Sequence, residues 1–243
     1  MKLEAKVALV TGASVRLGQS IAIYLAEQGM RVAVHYHQSE SGAKQTLSQM
    51  KDGSDQHLMV QADLKNFAEL QALIPTVQEK LGDISVLINN AADFYPTPLF
   101  SVTEEQWDHF ANLNLKAPFF LSQYAGELML KQGSGKIINI SDVSAERPWV
   151  GYLPYCTSKS GLLSLTKAFA KALAPKVTVN AIAPGTVLPP PKHSEIDQRH
   201  SIQQSLLKRM GSPEDIIQAV DYLLHADFVT GSIMAVDGGR AIV

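Results

Sequence analysis

The chain has 243 residues, 46% hydrophobic and 18% charged, with 21 basic and 23 acidic side chains and a formal net charge of −2. That apolar content supports a sizeable core and argues against a disordered chain, while the small net charge gives no broad basic field for nucleic acid or an anionic membrane surface. No run approaches a membrane span, the N-terminus lacks the apolar core of a signal peptide, and the single cysteine, Cys156, can form no internal disulfide, so a compact cytoplasmic protein is expected.

In chain order, Val7-Ala8-Leu9-Val10 predicts a first strand, which meets Gly12 and then a helical pattern of Ile21, Tyr24 and Leu25 closed by Gly29. Further strands are predicted over Arg31–Tyr36, His57–Gln61, Ser85–Ile88, Lys136–Ile140, Val177–Ile182 and Ser232–Val236, separated by helix-length sequence. Pro75 should kink or divide a helix between Leu70 and Leu81. The longest helix is predicted around Glu104–Lys131, where Trp107, Phe110, Leu113, Phe119 and Phe120 give more apolar surface than a half-exposed helix needs. Ser212-Pro213-Glu214-Asp215 reads as an N-cap, a proline at the first helical position and an acidic first turn. This alternation predicts an α/β, doubly wound parallel sheet covered on both faces, with residues 1–243 forming one domain. The proline-rich stretch Pro184–Pro191 is expected as a loop at the carboxyl ends of the strands, where such sheets bind ligands.

Thr11-Gly12-Ala13-Ser14-Val15-Arg16-Leu17-Gly18 lies between the first strand and the first helix, where backbone N–H groups and the helix N-terminus can hold a pyrophosphate. An NAD site usually ends the second strand with a carboxylate for the ribose 2′-hydroxyl. Here His35-Tyr36-His37-Gln38-Ser39 fills that place and no acid precedes Glu40, so a 2′-phosphate would meet no repulsion and NADP is the expected cofactor. The plainer reading makes both histidines surface residues at a strand end. Asp63-Leu64 follows the third strand, where the acid would accept from the adenine amine or cap the next helix.

Tyr155 and Lys159 are four residues apart and share a helix face, so an ammonium would stand beside a phenol and help it exchange a proton. With Thr11–Gly18, Asn89-Asn90-Ala91, Asn114, Tyr155-Cys156-Thr157-Ser158-Lys159, Pro184-Gly185 and Asp237-Gly238-Gly239 in that order, the chain resembles the short-chain dehydrogenase/reductase family over nearly its whole length. The resemblance implies a Rossmann-type fold, hydride transfer from a nicotinamide, and a homotetramer built through the Glu104–Lys131 and Tyr155–Leu173 helices, a dimer being the alternative. It implies cofactor contacts from Gly12, Ser14, Arg16, Leu17 and Gly18, from His37, Gln38, Ser39, Asp63 and Leu64, and from Asn90, Ala91, Tyr155, Lys159, Pro184 and Gly185. Lys159 would hold the nicotinamide ribose, and Asn114 would support a water-linked proton path to it.

Two departures narrow the substrate. Arg16 replaces the middle glycine of the turn, and Asp142 stands where the family has its catalytic serine; Ser141 next door should face the other way along the strand. Together with Asn89-Asn90-Ala91-Ala92-Asp93-Phe94-Tyr95-Pro96-Thr97-Pro98-Leu99, these features resemble pteridine reductases and dihydromonapterin reductases. That resemblance implies a pterin between the nicotinamide and Phe94, Arg16 near both cofactor and substrate, and proton delivery by Asp142 and Tyr155. Phe94 reads equally as an apolar loop anchor. Gln38 departs from an arginine often found there and loosens the expected grip on the 2′-phosphate, and Ala92 departs from a small hydroxyl residue. Cys156 reads as packed, and the segment Thr186–His200 is expected to close over the substrate. Competing readings are a carbonyl or 3-oxoacyl reductase with the same Tyr155, Lys159 and Asn114, and a nucleotide-binding regulator without catalysis.

Overall fold

The computed structural model describes residues 2–50, 56–189 and 194–243. Residues 190–193, which include the end of the expected proline-rich loop and part of the Thr186–His200 segment, lie outside them. The first half of the chain alternates β1 (Val7–Val10), α1 (Arg16–Glu27), β2 (Arg31–Tyr36), α2 (Glu40–Ser48), β3 (Leu58–Gln61), α3 (Phe67–Leu81) and β4 (Ile84–Asn89). The second half runs through α4 (Glu104–Ala111), α5 (Ala117–Gln132), β5 (Gly135–Ile140), α6 (Leu153–Leu173), β6 (Val177–Pro184), α7 (Glu195–Gln203), α8 (Pro213–His225) and β7 (Ile233–Val236).

The sheet has seven parallel strands in the order β3-β2-β1-β4-β5-β6-β7, the doubly wound architecture expected from the alternation. Its direction of winding reverses at β1 and β4, so the crevice outside their carboxyl ends is where such a sheet receives a ligand. β1, β4 and β5 are buried along their whole length, which is why they read as apolar runs without alternation. One layer of core packs Ile21 and Leu25 of α1 with Ile216 and Val220 of α8 against one sheet face. The other packs Leu70 and Val77 of α3 with Leu121 and Met129 of α5.

Two helix expectations need correction. α3 runs through Pro75 as one helix. The proline ring sits on the exposed side, where a displaced carbonyl meets water, while Leu73, Ile74 and Val77 stay buried against the core, so the proline does not divide the helix. The helix predicted over Glu104–Lys131 is interrupted, because residues Asn112–Lys116 are π-helical between α4 and α5. Pro118, in the first turn of α5, has no N–H to give to the carbonyl of Asn114, which favours the wider turn there. At the start of α8, Pro213 takes the first helical position and Asp215 accepts from the Ser212 backbone N–H at 2.7 Å. Among the described residues no helix is long and apolar enough to cross a membrane.

Candidate active site

Two cavities lie side by side along the carboxyl edge of the sheet, of about 640 Å³ and about 560 Å³, and Arg16, Leu17, Asn90 and Ala92 line both. The first is walled by Gly12, Ser14 and Gly18 of the β1–α1 turn, by His37, Gln38 and Ser39 beyond β2, by Asp63 and Leu64 beyond β3, and by Asn90 and Ala91 beyond β4. Tyr155, Lys159, Asp142, Phe94, Pro184 and Gly185 wall the second.

The turn is fixed by its own hydrogen bonds. Gly12 takes φ +62°, and its N–H donates to His35 Nδ1 at 3.1 Å. Burial lowers the His35 pKa to about 4, so the ring is neutral and its Nε2–H donates to the Ala62 carbonyl at 3.1 Å. His35 is therefore a brace beneath the turn and makes no cation for a phosphate. Asn90 Nδ2 donates to the carbonyls of Thr11 and Gly12 at 2.8 and 3.1 Å, and a Cβ on Gly18 would stand 2.2 Å from that Gly12 oxygen. The N-cap of α1, Val15, offers no side chain to the first helical N–H groups, which leaves them as donors at the cavity wall. This cradle fits a dinucleotide pyrophosphate.

Arg16 holds φ +55°, a left-handed conformation rare without glycine and costing roughly 1–2 kcal/mol. Its guanidinium crosses the cleft to donate to the Leu188 carbonyl at 2.7 Å and to that of Pro189 at 3.3 Å. At the far end, His37 Nε2 lies 3.7 Å from Asp63 Oδ2, and Lys65, which the sequence reading passed over, joins the wall. Asp63 accepts from the Lys65 N–H at 3.0 Å; the helix cap considered for it belongs instead to Asn66, which accepts from Ala68.

At the reaction end, β5 delivers Ser141 and Asp142 in opposite directions. Ser141 Oγ turns into α6 and donates to the Lys159 carbonyl at 3.2 Å. Asp142 faces the cavity, where Oδ1 accepts from the Ser144 N–H at 2.7 Å and Oδ2 accepts from the Tyr155 hydroxyl at 3.0 Å. Tyr155 and Lys159 are both buried on one face of α6. Lys159 Nζ donates to the Ile140 carbonyl at 2.9 Å and stands 5.9 Å from the Tyr155 ring.

The electrostatics differ from the expectation that the ammonium would help the phenol ionise. Burial and the Asp142 charge push Tyr155 well above the usual phenol range, because the carboxylate is nearer to its hydroxyl than the ammonium is. Burial also raises the Asp142 carboxyl, against the Ser144 hydrogen bond and the Lys159 charge, and it lowers Lys159 to about 8. The result is a phenol that keeps its proton beside a carboxyl with raised proton affinity. Such a pair is suited to giving protons.

Asn114, in the π-helical turn, is buried away from both cavities. Its amide accepts from the Asp93 N–H at 3.2 Å and donates to the Asp93 carbonyl at 3.3 Å and to Ser158 Oγ at 3.2 Å. Its side-chain hydrogen bonds tie the loop carrying Phe94 to α6 and do not reach Lys159. Phe94 stacks on Tyr152 at 4.7 Å and 3°, meets Tyr155 edge-on at 4.9 Å, and stays 40% exposed. Trp149 and Tyr152 complete this aromatic wall. No motif marks either residue, although both lie between Asp142 and Tyr155 in the chain. Cys156 is buried and accepts from the Trp149 N–H at 3.4 Å.

Residues 6–200 match the family model described as short chain dehydrogenase. The chain belongs to the short-chain dehydrogenase family. It is 37% identical to a 3-oxoacyl-[acyl-carrier-protein] reductase from Synechocystis sp., over 99% of this chain and 98% of that protein. It is 36% identical to the 3-oxoacyl-[acyl-carrier-protein] reductase FabG of Staphylococcus aureus, over 96% and 97%. Among solved structures, FolM Alternative dihydrofolate reductase 1 from Brucella canis, complexed with NADP, superposes with a TM-score of 0.93 at 28% identity, covering 100% of this chain and 96% of that one. As a short-chain dehydrogenase the chain is an oxidoreductase, and the cradle and the Tyr155–Lys159 face lie along one edge of its sheet.

Proposed function

We propose that this short-chain dehydrogenase is an NADPH-dependent reductase of a pterin or dihydropterin ring. The observation that carries the reading is the 3.0 Å hydrogen bond from Tyr155 to Asp142 beneath the Phe94–Tyr152 stack. Reducing a ring C=N bond requires a hydride on carbon and a proton on nitrogen, and a flat heterocycle gains from an aromatic face. NADPH supplies the hydride when bound.

The chain's own residues supply the rest. The Gly12–Gly18 turn, with Ser14, Arg16 and Leu17, and the N-terminus of α1 hold the pyrophosphate; His37, Gln38 and Ser39, aided by Lys65, receive the 2′-phosphate. Asp63 and Leu64, Asn90 and Ala91, and Pro184 and Gly185 line the two cavities, and would border the adenine, the adjoining ribose and the nicotinamide in turn. Lys159 orients the nicotinamide ribose. Tyr155 donates its proton to the substrate nitrogen, and Asp142 restores it. Phe94 holds the pterin plane, and Asn114 keeps the Phe94 loop in register with α6. The Brucella canis likeness supports both the cofactor and the substrate class. Assembly as a homotetramer through α4–α5 and α6 belongs to the same reading, supported by Trp107, an indole left half exposed on α4.

Reduction of a 3-oxoacyl group is the second reading, favoured by the Synechocystis and Staphylococcus aureus relatives. NADPH oxidation by the purified protein, with dihydropterins, oxidised pterins and 3-oxoacyl thioesters compared side by side, separates the two. Pterin-dependent oxidation is expected; thioester-only turnover would overturn the pterin reading.

A further inference from the structure

Beside the cavity that holds Asp142 and Tyr155 lies a smaller chamber of about 230 Å³, lined by Val143, Arg147, Trp149, His200, Gln204 and Arg240. Trp149, His200 and Arg240 line both spaces and form their common wall. The chamber thus gathers two guanidinium groups and an imidazole at the edge of the cavity that holds Asp142 and Tyr155.

Its cations are held in place without being neutralised. Arg240 lies over the Trp149 ring at 5.1 Å and donates to the Thr186 hydroxyl, while Arg147 donates to the Arg240 carbonyl at 3.1 Å. Gly239, at φ +82°, sets the turn that presents Arg240. Among the described residues, neither arginine has a carboxylate within ion-pair distance. The nearby acids are already engaged: Asp237 accepts from the N–H groups of Gly239 and Ala241 at 2.8 and 2.7 Å, and Asp142 from Ser144 and Tyr155. A guanidinium has five N–H donors, and most of these are unspent. Half-burying Arg240 without an anion has a desolvation cost that a bound anion would offset.

We infer that this chamber is an anion-binding annex of the substrate cavity, accepting a carboxylate or phosphate carried on the tail of the molecule being reduced. The inference rests on the larger cavity being the substrate cavity. Under the pterin reading the anion is the glutamate of a folate-type tail. Under the thioester reading it is the phosphate of a pantetheine arm. Arg147 and Arg240 bind the charge, and Trp149 supplies an apolar wall for the linker.

The test compares kcat/KM for dihydrofolate, with an anionic tail, and dihydrobiopterin, with a neutral one, at low and high salt in wild type, Arg147→Gln and Arg240→Gln. In wild type at low salt the ratio should favour dihydrofolate by about tenfold, shrink as salt rises, and approach one in both variants. Arg240→Lys, which keeps the charge, should retain part of the preference and control for misfolding. A second arm needs no turnover: calorimetric titration of the NADP-loaded protein with p-aminobenzoylglutamate and with 4′-phosphopantetheine. Binding of either one, lost in Arg147→Gln, supports the annex, and the tighter of the two identifies the anion's source. If neither pterin is reduced but one anion binds in this way, the annex stands and the pterin reading falls. Equal handling of charged and neutral tails at every salt concentration, with neither anion bound, overturns the annex.

Discussion

The Tyr155 hydroxyl reaches from α6 to the end of β5 and donates to Asp142 Oδ2 at 3.0 Å, so two proton carriers meet where the strands open into the cleft. Burial and the Asp142 charge keep the proton on the phenol, burial raises the proton affinity of the Asp142 carboxyl, and Lys159 stands behind them with its ammonium on the Ile140 carbonyl. Tyr155→Phe removes the group that would touch the substrate nitrogen and should lower kcat by about 10²–10⁴-fold, with NADPH affinity little changed. Single-turnover kinetics with a dihydropterin measures the first quantity, and NADPH fluorescence titration the second.

Lys159 gives a pH-dependent stability term whose sign can be stated. Its folded pKa of about 8 lies below the unfolded value, so between pH 8 and about 10.4 the unfolded chain binds the extra proton and stability rises with pH. The relief amounts to about 3 kcal/mol over the full window. In urea unfolding of the cofactor-free protein, wild type should gain on Lys159→Met as pH is raised from 8 to 10. A constant difference across that range would show that Lys159 titrates at an ordinary value.

Much of this arrangement was readable in the chain because the physics is local. Strands buried on both faces are apolar runs, a glycine pair between strand and helix leaves N–H groups free, and the two-residue period of β5 sends Ser141 inward and Asp142 outward. Where expectation failed, the cause was tertiary. Pro75 is tolerated because its ring faces water, and the π-helical turn depends on Pro118 together with the packing that places Asn114 between Asp93 and Ser158. The phenol's environment depends on how Lys159 is spent, since its hydrogen bond to Ile140 leaves Asp142 as the nearer charge. Arg240 reaches Trp149 only through the closure of the sheet by β7, which no spacing rule indicates.

Cofactor choice should turn on Gln38. It lines the first cavity beside His37 and Ser39, without a carboxylate of its own to repel a 2′-phosphate. Gln38→Glu should raise KM for NADPH by about tenfold or more while sparing NADH, and Gln38→Arg should lower it by a similar factor through a charge-assisted hydrogen bond. Steady-state kinetics with both nucleotides reads the ratio; indifference to both substitutions would move the phosphate site elsewhere.

Gly18 is limited by space. A methyl there would meet the Gly12 carbonyl at 2.2 Å and Asn90 Nδ2 at 2.4 Å, both parts of the hydrogen-bonded cradle. Gly18→Ala should destabilise the protein by about 1–3 kcal/mol, lowering the melting temperature by roughly 2–4 °C per kcal/mol. It should also weaken NADPH by more than tenfold, because the turn must open where the pyrophosphate would sit. Calorimetric melting with and without NADPH separates the two losses.

Asp142→Ser is the sharpest test of the choice between ring nitrogen and ketone. A serine at this position keeps a short hydrogen-bonding group near Tyr155 but loses the carboxyl that shares its proton. It also removes the nearest negative charge raising the phenol. Tyr155 should then titrate lower, under the influence of Lys159, which suits protonation of a carbonyl oxygen. Reduction of a dihydropterin should fall by about 10²-fold, while turnover of a 3-oxoacyl thioester should rise or appear. Kinetics on both substrates before and after the exchange decides it. Unchanged pterin reduction would mean that Tyr155 alone delivers the proton and that Asp142 merely caps the turn at Ser144.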